Sequence, residues 1–271
     1  MSGVRFTEDQ STNLATLYGR AIDARSERPV LGDTTAEDVV RKIDYDFGKF
    51  KVSENDAFGI AARGKVFDDV VRDFVHRHPE CTVVHLGVGM DSRVFRIDPP
   101  ATVRWFDIDF PDVIDLRRRL YPERENTTMI GASVTDDWLD AVPGDRTTLV
   151  VAEGLTMYLD PAAGLELFRR VVEHLPTGEV FFDAYSKLGV RAQKTNAIVR
   201  RAKATLRWGI DDPSELAGTG LVPVSVRTAD AFVPEEAWTR LPPVTRVVYR
   251  TALRVPVLRN MGKLMHFRFG A

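Results

Sequence analysis

Three short segments place carboxylates and glycines at spacings that suit a bound nucleoside. The first is His85-Leu86-Gly87-Val88-Gly89-Met90-Asp91-Ser92-Arg93. An apolar, β-branched run from Thr82 to Leu86 stops at Gly87, and glycines there let the backbone approach a ligand that a Cβ would repel. A dinucleotide fingerprint needs a third glycine at position 92, where Ser92 stands, so the motif is incomplete for a nicotinamide cofactor. On its own, Gly-x-Gly marks a tight strand-to-helix turn as readily as a ligand loop. The second segment is Trp105-Phe106-Asp107-Ile108-Asp109-Phe110-Pro111. Its acids fall about twenty residues after the glycines, where a carboxylate grips ribose hydroxyls in open parallel sheets. Alternation along an extended chain puts Asp107 and Asp109 on one side, so either could do this. Both could instead cap a helix that starts at Pro111. The third segment is Val150-Val151-Ala152-Glu153-Gly154-Leu155-Thr156-Met157-Tyr158-Leu159. A buried carboxylate such as Glu153 is costly unless it is paired or meets a cation, and a sulfonium is one such cation. Backbone amides or an arginine would serve Glu153 equally well.

These segments need a scaffold. Apolar runs at 82–86, 103–108, 127–130, 147–152 and 179–185 read as strands, with helical patterns at 111–120, 138–142 and 161–175 between them. Strands alternating with helices predict right-handed crossovers and a parallel sheet. Before residue 80 the pattern is helical, over 13–26, from Thr35, and over 58–75. After residue 185 it is mixed: a basic helical stretch 188–206, a sixth strand 221–226, a helix 244–260 with arginines at 246, 250, 254 and 259, and a last strand 265–269. We expect a single domain over 1–271. Its parts are an N-terminal helical cap to residue 80, a cofactor core at 81–185, a helical lid insertion at 186–220, and C-terminal strands and helix at 221–271.

Composition narrows the class. Apolar residues at 44% and charged residues at 28% exclude a disordered chain and a fibrous one. With 37 Lys and Arg against 39 Asp and Glu, a globally cationic nucleic-acid binder is disfavoured. The basic stretches also lack interleaved aromatics beyond Trp208 and Tyr249. One cysteine, Cys81, rules out an intrachain disulfide and a multi-cysteine metal site. No apolar run has the length of a signal-peptide core or a membrane span. The expectation is a cytoplasmic protein with no metal, no nucleic-acid partner and no membrane contact.

Taken together the motifs resemble the leucine carboxyl methyltransferase-like family of S-adenosylmethionine-dependent methyltransferases, in the bacterial branch associated with polyketide O-methylation. The carriers are Leu17-Tyr18-Gly19-Arg20-Ala21, Arg41 to Phe47, Ala61-Ala62-Arg63-Gly64-Lys65-Val66-Phe67-Asp68 and the three segments above. The resemblance implies a doubly wound, mostly parallel seven-stranded α/β sheet of the Rossmann-like kind, with its last strand antiparallel. The implied cofactor is S-adenosyl-L-methionine, with S-adenosyl-L-homocysteine as product. The resemblance also implies roles. Arg63 meets the cofactor's methionine carboxylate, and Gly87 and Gly89 form its loop. Asp109 holds ribose with Asp107 as neighbour, Glu153 meets the methionine amino end, and Tyr158 faces the acceptor. Tyr158 and Arg63 are thus the catalytic candidates. Where the family has an acidic residue followed by leucine for adenine, this chain has Ser133-Val134, with Asp136 close by.

Methyl transfer is an in-line displacement that asks for alignment and desolvation. A carboxylate acceptor is already ionised and needs no base, whereas an alcohol or phenol would want one. None of the five histidines stands out as a base. His85 sits inside a strand and reads as a packed core residue, His76, His78 and His174 end helices, and His266 lies in the last strand. The segments 187–207 and 237–271 each carry seven Lys and Arg and no acid. A cationic lid built from them would favour an anionic acceptor. The substrate expected is a small molecule, anionic and aromatic. Competing readings are a protein C-terminal carboxyl methyltransferase, a cofactor-binding homologue without activity, and a nicotinamide-dependent oxidoreductase.

Overall fold

The computed structural model describes residues 8–193 and 205–270. Seven strands form one sheet: β1 (Thr82–Leu86), β2 (Arg104–Asp109), β3 (Thr127–Gly131), β4 (Thr148–Ala152), β5 (Gly178–Tyr185), β6 (Val222–Thr228) and β7 (Gly262–Phe269). Their order is β3-β2-β1-β4-β5-β7-β6, with β7 antiparallel to both neighbours and the first five strands parallel. The order reverses between β1 and β4, so the ends of these strands flank the crevice where such sheets bind ligands.

Strand alternation sorts the core into two layers. On one face Val84, Leu86, Phe106, Ile108, Val150 and Phe182 meet Trp138, Leu167, Phe168 and Trp208. On the other, Val83, Trp105, Leu149, Val151 and Phe181 meet Val66, Phe67, Val71 and Phe74. The central strands therefore read as near-continuous apolar runs, as strands covered on both faces must. The covering helices are α3 (Glu54–Arg77), started by a Ser53/Asp56 capping box, and α6 (Pro161–His174), capped by Asp160. Two more helices, α1 (Glu8–Ala24) and α2 (Thr34–Lys42), pack on each other and over the β1 turn through Leu14, Leu17, Val39 and Met90. The short α4 (Arg93–Ile97) follows that turn, and α5 (Pro111–Leu120) follows β2.

The C-terminal third departs from the expected helices. Of the stretch 188–206, α7 (Lys187–Arg191) is helical, while residues 194–204 lie outside the described residues. The single helix expected over 244–260 is two, α8 (Pro243–Ala252) and α9 (Pro256–Arg259). Pro256 causes the break, because it has no N–H to give and pushes its predecessor out of the helical region. Val255 is accordingly extended. No helix among the described residues is long and apolar enough to cross a membrane.

Candidate active site

A cavity of about 490 Å³ opens at the carboxyl ends of β1, β4 and β5. Its floor is the β1 turn. Gly87 has φ +61, and a Cβ there would lie 2.9 Å from Leu155 Cδ1, so a side chain would both strain the turn and fill the cradle. Gly87 N donates to Ile108 O at 2.8 Å, tying the turn to β2. Gly89 N donates to Asp109 Oδ2 at 2.6 Å, and Asp109 Oδ1 accepts from Phe110 N at 2.8 Å. Burial raises the Asp109 pKa against the pull of those two amides. Asp107 lies deeper. Its oxygens accept from Trp105 Nε1 at 2.7 Å and Arg117 Nη2 at 2.8 Å. The structure separates the two acids. Asp107 belongs to an internal ion pair, with no oxygen left toward the cavity, while Asp109 stays at the strand end. Neither caps α5, whose N-cap residue Phe110 makes no side-chain bond.

The deep wall is an ion cluster assembled from α1, α3, α4, β5, the turns after β1 and β4, and the cap of α2. Glu153, after β4, accepts from Arg20 of α1 at 3.2 Å, from Arg63 of α3 at 3.1 Å, and from Arg93 of α4. Burial opposes its charge, yet the three guanidinium groups hold its pKa at about 2. Asp183 of β5 accepts from Arg63 Nη1 at 3.1 Å and from Gly154 N at 2.6 Å, and burial raises its pKa. Asp91 lies within 2.9 Å of Arg20, 3.2 Å of Arg93 and 2.9 Å of Arg96. Asp68 and Asp33 complete the set through Arg93 and Arg96. Four arginines thus face five carboxylates, and the exposed Arg72 reaches Asp68 only at 3.9 Å. With Arg72 left aside, this cluster carries one surplus negative charge. Arg63 is the accessible arginine, with 23% of its side chain exposed against 0–7% for the other three.

His85 is buried as expected but not in apolar surroundings. Its Nε2 lies 3.0 Å from Arg93 Nη1, and an arginine can only donate. The network therefore assigns the proton to Nδ1, 3.7 Å from Asp107 Oδ1. Burial first, then Arg93, lowers its pKa well below the usual imidazole value, so the ring is neutral.

The outer wall differs in character. Met157 and Tyr158 from the turn after β4, Tyr185 at the end of β5, Phe232, Tyr249 of α8 and Met261 face the cavity. Among the described residues no Lys or Arg of 187–207 or 237–271 lines it, and four of the seven basic residues of the first stretch lie outside the described residues. Arg250 instead reaches Glu235 and lies 5.2 Å from the Trp238 ring centre.

Comparison with known proteins now decides the family. The model of the leucine carboxyl methyltransferase family matches residues 13–172. The chain belongs to that family. The match runs from α1 into α6 and contains the glycine turn, both Asp107 and Asp109, and Glu153; Asp183 lies beyond it. The chain is 44% identical to the tetracenomycin polyketide synthesis O-methyltransferase TcmP of Streptomyces glaucescens, covering 98% of each protein. It is 35% identical to the S-adenosyl-L-methionine-dependent methyltransferase dpfgK of Gibberella zeae over 79% of each. Among solved structures, a DUF574-family protein from Streptomyces avermitilis has TM-score 0.58 over 94% of this chain and 96% of that one, at 14% identity. Human N-acetylserotonin methyltransferase in complex with SAM has TM-score 0.50 over 94% of this chain and 67% of that one, at 12% identity. These structural likenesses carry the fold.

With the leucine carboxyl methyltransferase family established, the residues can be tested against its cofactor, S-adenosyl-L-methionine. They fit. The Gly87 cradle is open to a ligand, and Asp109 keeps lone pairs at the strand end. Asp91 lines the cavity, and its two buried oxygens make no well-aligned hydrogen bond. The surplus negative charge matches a ligand of net charge +1. Of the residues expected from the sequence, Arg63, Gly87, Gly89, Glu153 and Tyr158 line the cavity. Asp109 adjoins it through Gly89. Ser133 and Val134 follow β3 and are not among the residues that line the cavity. The Ser133 hydroxyl is 2.9 Å from Thr135 Oγ1, and the Ser133 N–H donates to Asp136 at 3.0 Å. Val134 is buried beneath them. Sequence reasoning assigned no role to Arg20, Asp91, Arg93 or Asp183. The first three stood inside quoted motifs, and Asp183 showed only as an acid near the end of an apolar strand.

Proposed function

We propose that this chain is an S-adenosyl-L-methionine-dependent O-methyltransferase acting on a small aromatic acceptor that carries a carboxylate or an acidic phenol, of polyketide type. The observation that carries the reading is the two-sided cavity. A glycine floor and a surplus carboxylate lie on one side, and aromatic and methionine side chains on the other. Aromatic rings and thioethers pack well against a flat ring. Bound between these walls, the cofactor supplies an electrophilic methyl group on a sulfonium. Asp109 would hold the ribose hydroxyls, Arg63 the amino-acid carboxylate, and Asp91 the ammonium, because its oxygens make no well-aligned hydrogen bond to the three arginines around it, whereas Glu153 accepts from three. Met157, Tyr158 and Tyr249 would position the acceptor and exclude water.

Three titratable groups at the cavity are committed elsewhere. Glu153 and Asp183 are ion-paired, and His85 is neutral with Nε2 occupied. An acceptor that arrives ionised suits such a site, since it needs no base. The test is a calorimetric titration with S-adenosyl-L-methionine, with NAD and NADP as controls and Asp109→Ala in parallel, followed by product analysis with aromatic carboxylic acids. Binding of the methyl donor alone, weakened at least tenfold in the variant, is expected. Tight NAD binding, or methylation of neutral alcohols in preference to acids, would overturn the reading.

A further inference from the structure

We propose that Asp183 is a positioning residue that locks the cofactor-side arginine and the acceptor-side turn into one arrangement. This rests on the methyltransferase reading above. The geometry begins with side-chain periodicity. On β5, Phe181 and Asp183 point to the α3 face of the sheet; on α3, Arg63 and Phe67 stand one turn apart on one side. Phe67 meets Phe181 edge-on, with ring centres 4.7 Å apart, and both are fully buried. That contact fixes the register of helix on strand. One step toward the cavity, the same register brings Arg63 Nη1 to 3.1 Å from Asp183 Oδ2.

Asp183 Oδ1 reaches the other way and accepts from Gly154 N at 2.6 Å. Gly154 has φ +66, a conformation that this bond helps to hold. Two residues on, Thr156 Oγ1 donates to the Asp183 carbonyl at 2.6 Å. The backbone of 153–158 is thus pinned twice to residue 183, and this turn presents Met157 and Tyr158 to the cavity. Asp183 itself sits on a strand paired on both sides, to β4 and to Leu264 of β7. A rigid strand therefore carries one carboxylate whose two oxygens hold the two arms of the site. In-line transfer depends on such alignment.

The test combines donor binding with hydrogen exchange on the full chain. Wild type, Arg63→Lys, Asp183→Asn and the double variant are titrated with S-adenosyl-L-methionine, and exchange is followed for amides 154–158. Asp183→Asn is expected to weaken donor binding about tenfold and to speed exchange across the turn. The double variant is expected to bind no more than about twofold worse than Arg63→Lys, because both changes break one linkage. A residue that served stability alone would lower the melting temperature and leave both readouts unchanged. Donor binding within twofold of wild type in Asp183→Asn, or losses that multiply in the double variant, would overturn the proposal. If Asp183→Asn does not fold, Thr156→Val decides. Faster exchange at 154–158 with donor affinity within twofold supports the proposal, and unchanged exchange overturns it. Failure of wild type to bind the donor would instead remove the methyltransferase reading on which this rests.

Discussion

Asp107 and Asp109 sit two residues apart on one face of one strand and do different work. Alternation, the rule legible in the sequence, holds: Trp105, Asp107 and Asp109 share a side. Alternation does not give depth. Asp107 is 1% exposed beneath the glycine turn and neutralises Arg117, itself fully buried. Removing its charge strands that guanidinium. Asp107→Asn should therefore cost about 3–5 kcal/mol in urea unfolding, the usual penalty for breaking a buried pair. Asp109→Asn leaves no cation unpaired but keeps one oxygen for the two amides of Gly89 and Phe110, so it should cost about 1–3 kcal/mol, less than Asp107→Asn. Its donor affinity should nevertheless fall roughly tenfold or more, the value of a hydrogen bond to a charged group. Equal destabilisation by both substitutions would contradict this division of labour. The partners of the cavity carboxylates were hidden for the same reason. Arg20, Arg93 and Asp183 reach Glu153 and Arg63 across sequence separations that no local pattern spans.

At the level of elements, the parallel strands were legible because each is a short apolar run, and the covering helices because their apolar residues recur at helical spacing. What escaped was short or interrupted. The five-residue α4 has no room for a periodic pattern, and Pro256 splits a helix that periodicity alone would continue. The glycine turn between β1 and α4 is the element on which donor binding depends most. Gly87 occupies the left-handed region, which costs a residue with a Cβ about 1–2 kcal/mol. The added methyl of Gly87→Ala would also press on Leu155, next to the Gly154 turn. We expect this variant to fold, with a melting temperature lower by several degrees, and to lose most of its donor affinity in calorimetry. Retention of wild-type affinity would mean that the ligand does not approach this turn.

Over the whole molecule, a net charge of −2 conceals how charge is distributed. The interior concentrates arginines and carboxylates around one neutral histidine, and that placement sets the response to acid. His85 has a folded pKa well below its unfolded value of 6.5. A depressed pKa means that its contribution to stability is complete above 6.5 and is lost as the pH falls below it, because the unfolded chain takes up a proton that the folded chain refuses. Glu153 is depressed too, to about 2, but its unfolded value is 4.5, so its loss begins only below that pH. Asp107, Asp109 and Asp183 are raised above 3.8 and act in the opposite sense, gaining as the pH falls through their folded values toward 3.8. Between pH 6.5 and 5 the imidazole therefore dominates the decline. One unmatched proton gives a slope of up to about 1.4 kcal/mol per pH unit. Urea unfolding of wild type at pH 7.0, 6.0 and 5.0 should show that slope, and His85→Gln should flatten it whatever its absolute stability. The glutamine can still accept from Arg93 but cannot titrate. If the variant declined as steeply as wild type, the acid sensitivity would have to arise from the carboxylates, and the neutral imidazole would not be what the arginine cluster is built around.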